Sequence, residues 1–259
     1  MKTAGLLSRL YLAALFLFVF APIVTSMVFS FNSDRFPTVP LGQFTLDWYR
    51  TAFARPEVWA AFGNSLIVAL SAAALSTALG FATAYTDFRY GFRFKTAYLA
   101  LALLPPTIPL VIMGLAMLAW LARLGLSGTL PGIVIAHTVM GAPFAMAICR
   151  MRLQQMDAAL EAAAWNLGAS PWRAMRAVVI PFSLPALISA YCLTAAVSFD
   201  EFIVAWFVSG LNKTVPVMIL EILQGNVDPQ INAIGTVVFL TSMTLVVVAQ
   251  LLLLRRRDP

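Results

Sequence analysis

The sequence predicts an all-α membrane protein of six transmembrane helices, and three observations carry that prediction. Of its 259 residues 61% are apolar and only 11% charged, whereas a soluble domain typically carries about a quarter charged residues. A soluble fold would lack the polar shell to cover so much apolar surface. Charge-free runs lie at 10–33, 58–86, 96–122, 124–149, 177–199 and 229–254, each longer than the roughly 20 residues a helix needs to cross hydrocarbon. The alternating segments of about 10 residues that would build a barrel are absent. Backbone groups in lipid must then be paired within each segment, which forces helices. The length suits one compact membrane domain over 1–259.

In chain order the spans are placed at about 10–31, 59–84, 97–121, 130–149, 184–208 and 233–254. The first follows Lys2 and Arg9; its apolar part is too long for a signal-peptide core, so it reads as an uncleaved span. An outer loop over 31–57 contains the turn formers Asn32, Ser33, Pro37, Pro40 and Gly42. The second span runs between Glu57 and Asp87. Pro105, Pro106 and Pro109 crowd the third, freeing carbonyls and bending the helix, either as a static kink or as a hinge. The fourth holds His137, the only histidine, which has no metal partners in the sequence and is expected to pack with one backbone hydrogen bond. The fifth carries two acids, Asp200 and Glu201. The stretch 214–224 is apolar but too short to span, as interfacial or re-entrant segments are. Cys149 and Cys192 lie in apolar runs, form no CxxC pair and read as small packing residues.

Six spans put both termini on one side. The positive-inside rule makes that side cytoplasmic. Twelve basic residues then fall inside: Lys2, Arg9, Arg89, Arg93, Lys95, Arg150, Arg152, Arg173, Arg176, Arg255, Arg256 and Arg257. Five fall outside: Arg35, Arg50, Arg55, Arg123 and Lys213. The acids Asp87, Asp157, Glu161 and Asp258 lie inside, and Asp34, Asp47, Glu57, Glu221 and Asp228 outside. The net charge of +6 is therefore a topology signal, and nucleic acid is not needed to explain it. No phosphate-binding glycine loop is present, which argues against nucleotide binding by this chain.

The largest inner segment, 150–183, has a readable local structure. Ala158 to Leu167 is Ala-rich and helix-forming. Gly168 can end that helix in a left-handed cap. Ala169 follows, and then Ser170-Pro171 reads as an N-cap with proline at the first helical position of a second helix. Helix, glycine turn and helix make a compact protrusion, and its small alanines allow another surface close approach.

This segment resembles the cytoplasmic EAA loop of ABC importer permeases, in which Glu-Ala-Ala is followed after three residues by Gly and after nine more by Ile-x-Leu-Pro. Ala163, Ala164 and Gly168 match, as do Val178, Ile180 and Pro181 conservatively. The family's glutamate position falls on Ala162, with Glu161 one residue early, which puts the family's ion pair to the ATPase in doubt. Further likeness lies in Phe44-Thr-Leu-Asp-Trp-Tyr49, Asn64-Ser65, Ile135-Ala-His137, Pro143-Phe144, Ser198-Phe-Asp-Glu-Phe-Ile203, Pro216 and Asn232-Ala-Ile. These look like the branch containing the second permease subunit of spermidine/putrescine-type transporters. The branch also includes importers of opines, other small amines and aminophosphonates.

The resemblance implies a type I ABC importer permease in the bacterial inner membrane. Its partners would be a second homologous permease, an ATPase dimer, an extracytoplasmic solute-binding protein and membrane lipids, with no nucleic acid. ATP and Mg would be bound by the ATPase, with no cofactor, metal or catalytic residue in this chain. Asp157, Glu161, Ala162, Ala163, Ala164, Gly168, Ala169, Ser170 and Pro171 would form the coupling loop.

A charge at mid-bilayer is costly and usually faces a wet cavity or the bundle interior. Asp200 and Glu201 are therefore expected either on a path for a cationic solute or as helix-end acids at the outer interface or a partner subunit. Neighbouring helical residues point about 100° apart, which favours Asp200 over Glu201 for the path. Trp206 is a further residue for the path or for an interfacial aromatic belt. A secondary transporter would show internal repeats and paired broken helices, and the repeats are missing. A membrane-embedded enzyme would need a catalytic constellation that one histidine and two adjacent acids do not supply.

Overall fold

The computed structural model describes residues 2–36, 38–225 and 229–254. Pro37, Asp228, Arg255, Arg256, Arg257 and Asp258, used above in the loop and topology readings, lie outside the described residues. The described chain is helical, and its one β-feature is an isolated antiparallel bridge between Asn32 and Phe44. Four helices are long and apolar enough to cross a membrane: Ser8–Phe29, Pro56–Arg89, Leu130–Leu153 and Pro171–Asp200. The chain divides into two compact units, 1–59 with 218–241 and 60–217 with 242–259.

The first unit begins with α1 (Lys2–Phe29). Its described apolar side chains are largely exposed, Leu17 and Phe18 among them. A helix that is apolar all round and uncovered needs lipid or another chain around it. After it, a loop leads to α2 (Asp47–Phe53). Trp48 Nε1 donates to the Asn32 carbonyl at 2.7 Å, the Ser30 and Tyr49 hydroxyls lie 2.7 Å apart, and Asn32 Oδ1 accepts from Gly42 N at 2.7 Å. The Phe31 ring stacks on Phe44 at 5.2 Å. The motif 44–49 therefore acts as a clasp that folds the loop back on the end of α1. Asn232 on α12 (Gln230–Leu254) accepts from Ser26 Oγ at 3.1 Å in the same unit.

The second unit is built on α3 (Pro56–Arg89) and α6 (Leu130–Leu153), with α6 packed most extensively on α9 (Ile180–Asp200). Small residues let α3 and α6 cross closely. A Cβ built on Gly80 would stand 2.5 Å from the Met146 backbone nitrogen, and one on Gly141 would stand 2.6 Å from Ser76 Oγ. Without a hydrophobic driving force in lipid, such backbone approach is how membrane helices gain packing. Two buried apolar clusters flank the crossing. One is centred on Leu121, Ile133 and Val208, the other on Met146, Cys149 and Val179.

Two predicted spans are not continuous. The third, 97–121, is α4 (Lys95–Ala102), a 3-10 turn at Pro105–Thr107 and α5 (Leu110–Arg123). Prolines at 105, 106 and 109 supply no N–H, so the α pattern cannot pass through them. Thr107 mends part of the gap, sending both its N–H (2.9 Å) and its hydroxyl (2.7 Å) to the Leu104 carbonyl. The fifth, 184–208, starts earlier and breaks. A π turn at Met175–Val179 leads into α9, the helix ends at Asp200, and a separate α10 (Ile203–Val208) follows and packs on α5. The short apolar stretch 214–224 forms α11 (Val215–Gly225). Within the second unit Asn64 Nδ2 donates to the Lys213 carbonyl at 3.0 Å and Ser65 Oγ accepts from Val215 N at 2.9 Å.

Gly80→Ala should therefore destabilise the isolated chain in detergent by about 1–3 kcal/mol, because backbone cannot yield to the new methyl as a side chain can. Gly63→Ala, on the same helix with open space around it, should instead be neutral or stabilising by about 0.5–1 kcal/mol. Thermal melts of the two variants against wild type check the contrast.

Candidate functional site

The residues singled out above gather at two places in the second unit, an elbow after α6 and the break between α9 and α10. At the elbow, Asp157 N-caps α7 (Ala158–Asn166), its Oδ1 accepting from Ala159 N at 2.8 Å. α7 ends in a Schellman turn. Gly168 N donates to the Trp165 carbonyl at 2.8 Å and Ala169 N to the Ala164 carbonyl at 3.0 Å, with Gly168 at φ +83°. A side chain at that φ would be strained, so glycine is required there. Ser170 then caps α8 (Pro171–Ala174), its Oγ accepting from Arg173 N at 3.3 Å, and Pro171 takes the first helical position.

The outward surface of the elbow is apolar with a basic rim. Leu167 is 89% exposed and Trp172 65%, with Leu160 also exposed. Ala162 and Ala163 are exposed between them. The Arg176 guanidinium lies 5.6 Å from the Trp172 ring centroid, and Arg173 and Arg176 share a shallow concavity with Ser170 and Trp172. Large apolar side chains clustered in the open mark an interaction surface. The sequence reading named the alanines and the glycine but missed Leu160, Leu167 and Trp172. An amphipathic count cannot say which apolar side chains stay uncovered.

Glu161 belongs to the same helix but points the other way. It is 2% exposed, accepts a hydrogen bond from the Tyr85 hydroxyl at 2.6 Å and lies 3.5 Å from Arg89 Nε. That guanidinium also sits 4.4 Å from the Trp165 ring centroid. On the other side of the α3 end, Asp87 accepts from Arg150 Nε at 2.6 Å and pairs with Lys95 Nζ at 3.1 Å.

At the break the two adjacent acids part. Asp200 is exposed, and its Oδ1 accepts from Ser242 Oγ at 3.2 Å. Glu201 turns inward, and its two carboxylate oxygens accept from Val204 N and Ala205 N, each at 2.9 Å. It thus caps α10 with its own side chain. His137 Nε2 lies 3.4 Å from the same carboxylate, a close approach rather than a well-aligned bond, and its Nδ1 lies 2.7 Å from Ser198 Oγ. The tautomer with the proton on Nε2 suits both neighbours. The Glu201 carboxylate is taken up by backbone donors of α10, so the two acids point apart, in line with their separation around a helix. One expectation is corrected here. His137 is held by side chains rather than by a backbone group. Trp206 is half-exposed on α10 and packs on Phe207 at 5.0 Å.

An all-helical chain with several membrane-length apolar helices, one of them broken beside an acid, and a capped elbow between two of them has the architecture of a multi-pass membrane transport subunit. The chain belongs to the family described as binding-protein-dependent transport system inner membrane component, which matches residues 76–257. It is 31% identical to the spermidine/putrescine transport system permease protein PotC of Haemophilus influenzae, over 95% of this chain and 98% of that one. It is likewise 31% identical to the putrescine transport system permease protein PotI of Escherichia coli, over 86% of this chain and 82% of that one. In fold it resembles a chain of a bacterial ABC transporter involved in the import of the acidic polysaccharide alginate. That match has a TM-score of 0.77 at 17% identity and covers 100% of this chain and 98% of the other.

Removing the Glu201 carboxylate as Glu201→Ala would leave two buried backbone donors unpaired and should cost about 1–3 kcal/mol of stability. Asp200→Asn, at an exposed position, should stay within about 0.5 kcal/mol. Chemical unfolding of the purified chain in detergent distinguishes the two.

Proposed function

We propose that this chain is the six-span permease subunit of an ATP-driven importer, acting as one permease domain with both termini cytoplasmic, and that its cargo is a small cationic amine. The observation that carries the reading is the exposed apolar elbow, which lies in the segment that resembles the family's ATPase-docking loop. Leu160, Leu167 and Trp172 supply the contact area, and the exposed alanines let a cleft close on the helix. The six spans are α1, α3, the proline-broken pair α4–α5, α6, the pair α9–α10, and α12.

ATP and Mg belong to the ATPase dimer in this account, and solute arrives from an extracytoplasmic binding protein. A second permease subunit completes the path. The kinship with polyamine permeases supports a cargo such as putrescine or spermidine, and Asp200 supplies a carboxylate where the broken helix opens. An amine cation desolvated near that carboxylate is held by charge in a medium of reduced dielectric. The elbow transmits closure of the ATPase dimer, and the spans rock about the cargo.

Leu167→Asp should abolish co-purification of the ATPase subunits and cut uptake at least ten-fold, the equivalent of about 1.4 kcal/mol or more of lost docking. Retained ATPase and retained uptake would sink the docking role, and uptake that continues without ATP would sink the importer itself. In proteoliposomes bearing all subunits, Asp200→Asn should raise KM for a diamine several-fold with the complex intact. Unchanged uptake kinetics would remove Asp200 from the path.

A further inference from the structure

We propose that Glu161, with Tyr85, Arg89 and Trp165, is an internal link that carries motion of the elbow into α3, and that it does not contact the ATPase. The inference rests on the reading of the elbow as the place where the ATPase docks. It concerns what happens on the membrane side of that dock.

Within α7 Glu161 is the one fully buried residue. The helix is joined to its neighbours at one end through Gln154–Asp157 and at the other through the Gly168 turn. Neither joint is helical. An elbow held by these joints alone would swing when pushed, and little of the push would reach the spans.

The cluster removes that slack. The Tyr85 hydroxyl grips one carboxylate oxygen of Glu161 at 2.6 Å and Arg89 Nε approaches the other at 3.5 Å. Arg89 also lies 4.4 Å from the indole centroid of Trp165, one turn further along α7. A guanidinium can pair with a carboxylate and stack on a ring at once, because it is planar and weakly hydrated. Arg89 therefore holds α7 at two points. Tyr85 and Arg89 are four residues apart and share one face of α3.

The opposite face of the same turn is held as well. Asp87 lies about 200° around the helix from Tyr85. It takes Arg150 of α6 at 2.6 Å and Lys95 at the start of α4 at 3.1 Å, and Lys95 Nζ also donates to the Asp87 carbonyl. The end of α3 is thus clamped between the elbow on one side and α4 and α6 on the other. A displacement of α7 is delivered to three spans together. The Glu161 side chain is 3% exposed, so parting its carboxylate from Tyr85 and Arg89 would strand a buried charge, and the link resists slipping.

The test uses the full transporter in proteoliposomes, with Glu161→Gln, Tyr85→Phe and the double variant, measuring ATPase subunits retained and solute imported per ATP hydrolysed. The expected result is that Tyr85→Phe and Glu161→Gln both keep the ATPase subunits but import at least about five-fold less solute per ATP. The double variant should be no worse than the more severe single one, as expected when two residues form one link. An unchanged import-to-ATP ratio in both single variants would overturn the proposal. So would loss of the ATPase from Glu161→Gln, which would mean that the carboxylate reaches that partner. If Glu161→Gln fails to fold, Tyr85→Phe decides alone, since it keeps the ring and removes one hydroxyl. Leu167→Asp separates the two readings, because retention of the ATPase in that variant rejects the dock whatever the Glu161 result.

Discussion

In hydrocarbon no water is available to a free N–H or C=O, so a spanning chain can leave the helix only where something else takes over the backbone's hydrogen bonds. Two breaks among the described residues follow that constraint. At the proline-rich break the three prolines bring no donors, and Thr107 turns its amide and hydroxyl to the Leu104 carbonyl. At the break after Asp200 the missing partner is supplied by a carboxylate, with Glu201 accepting from Val204 N and Ala205 N in the first turn of α10. The break in turn sets the neighbouring geometry. A continuous helix would carry Asp200 and Glu201 on adjacent bearings. Because Glu201 folds back under α10, Asp200 is left outside.

Burial divides three of the acids that invited a functional reading, Glu161, Asp200 and Glu201. Glu161 and Glu201 are both nearly sealed, and both satisfy groups of their own chain. A buried carboxylate with two or three partners is costly to disturb and poorly placed to greet a solute. Asp200 has one hydroxyl partner and an open side. Cargo binding needs a charge that can exchange partners, whereas a mechanical joint needs one that cannot. The number of fixed partners thus separates side chains of one chemical type.

Much of this was legible in the sequence. The long apolar helices followed from charge-free runs, because the absence of charge is a local property. The elbow followed from the Ala-rich run 158–167, Gly168, Ser170 and Pro171, since caps and left-handed turns are decided within four residues; the cap by Asp157 came from the structure. The two broken spans were harder. Proline marked the first as bent, but nothing local in Ser198-Phe-Asp-Glu says that the glutamate will cap the next helix instead of extending the last. The pairings of Tyr85 with Glu161, 76 residues apart, and of His137 with Ser198, 61 residues apart, join distant parts of the chain, and no periodicity encodes them. Nor does the sequence say that Leu167, at the end of an Ala-rich helix, stays largely uncovered.

The elbow's two faces suggest why its sequence tolerates a glutamate one position early. Shifting an acid by one residue on a helix rotates it by about 100°. At the position of Ala162 a carboxylate would face outward among Leu160, Ala163 and Leu167. At 161 it faces α3. The alanine that takes the outer position leaves that face apolar, while the charge is kept for the inner face, beside Arg89 and Tyr85. One short helix thus carries an apolar, exposed outer face and a charged, hydrogen-bonded inner face.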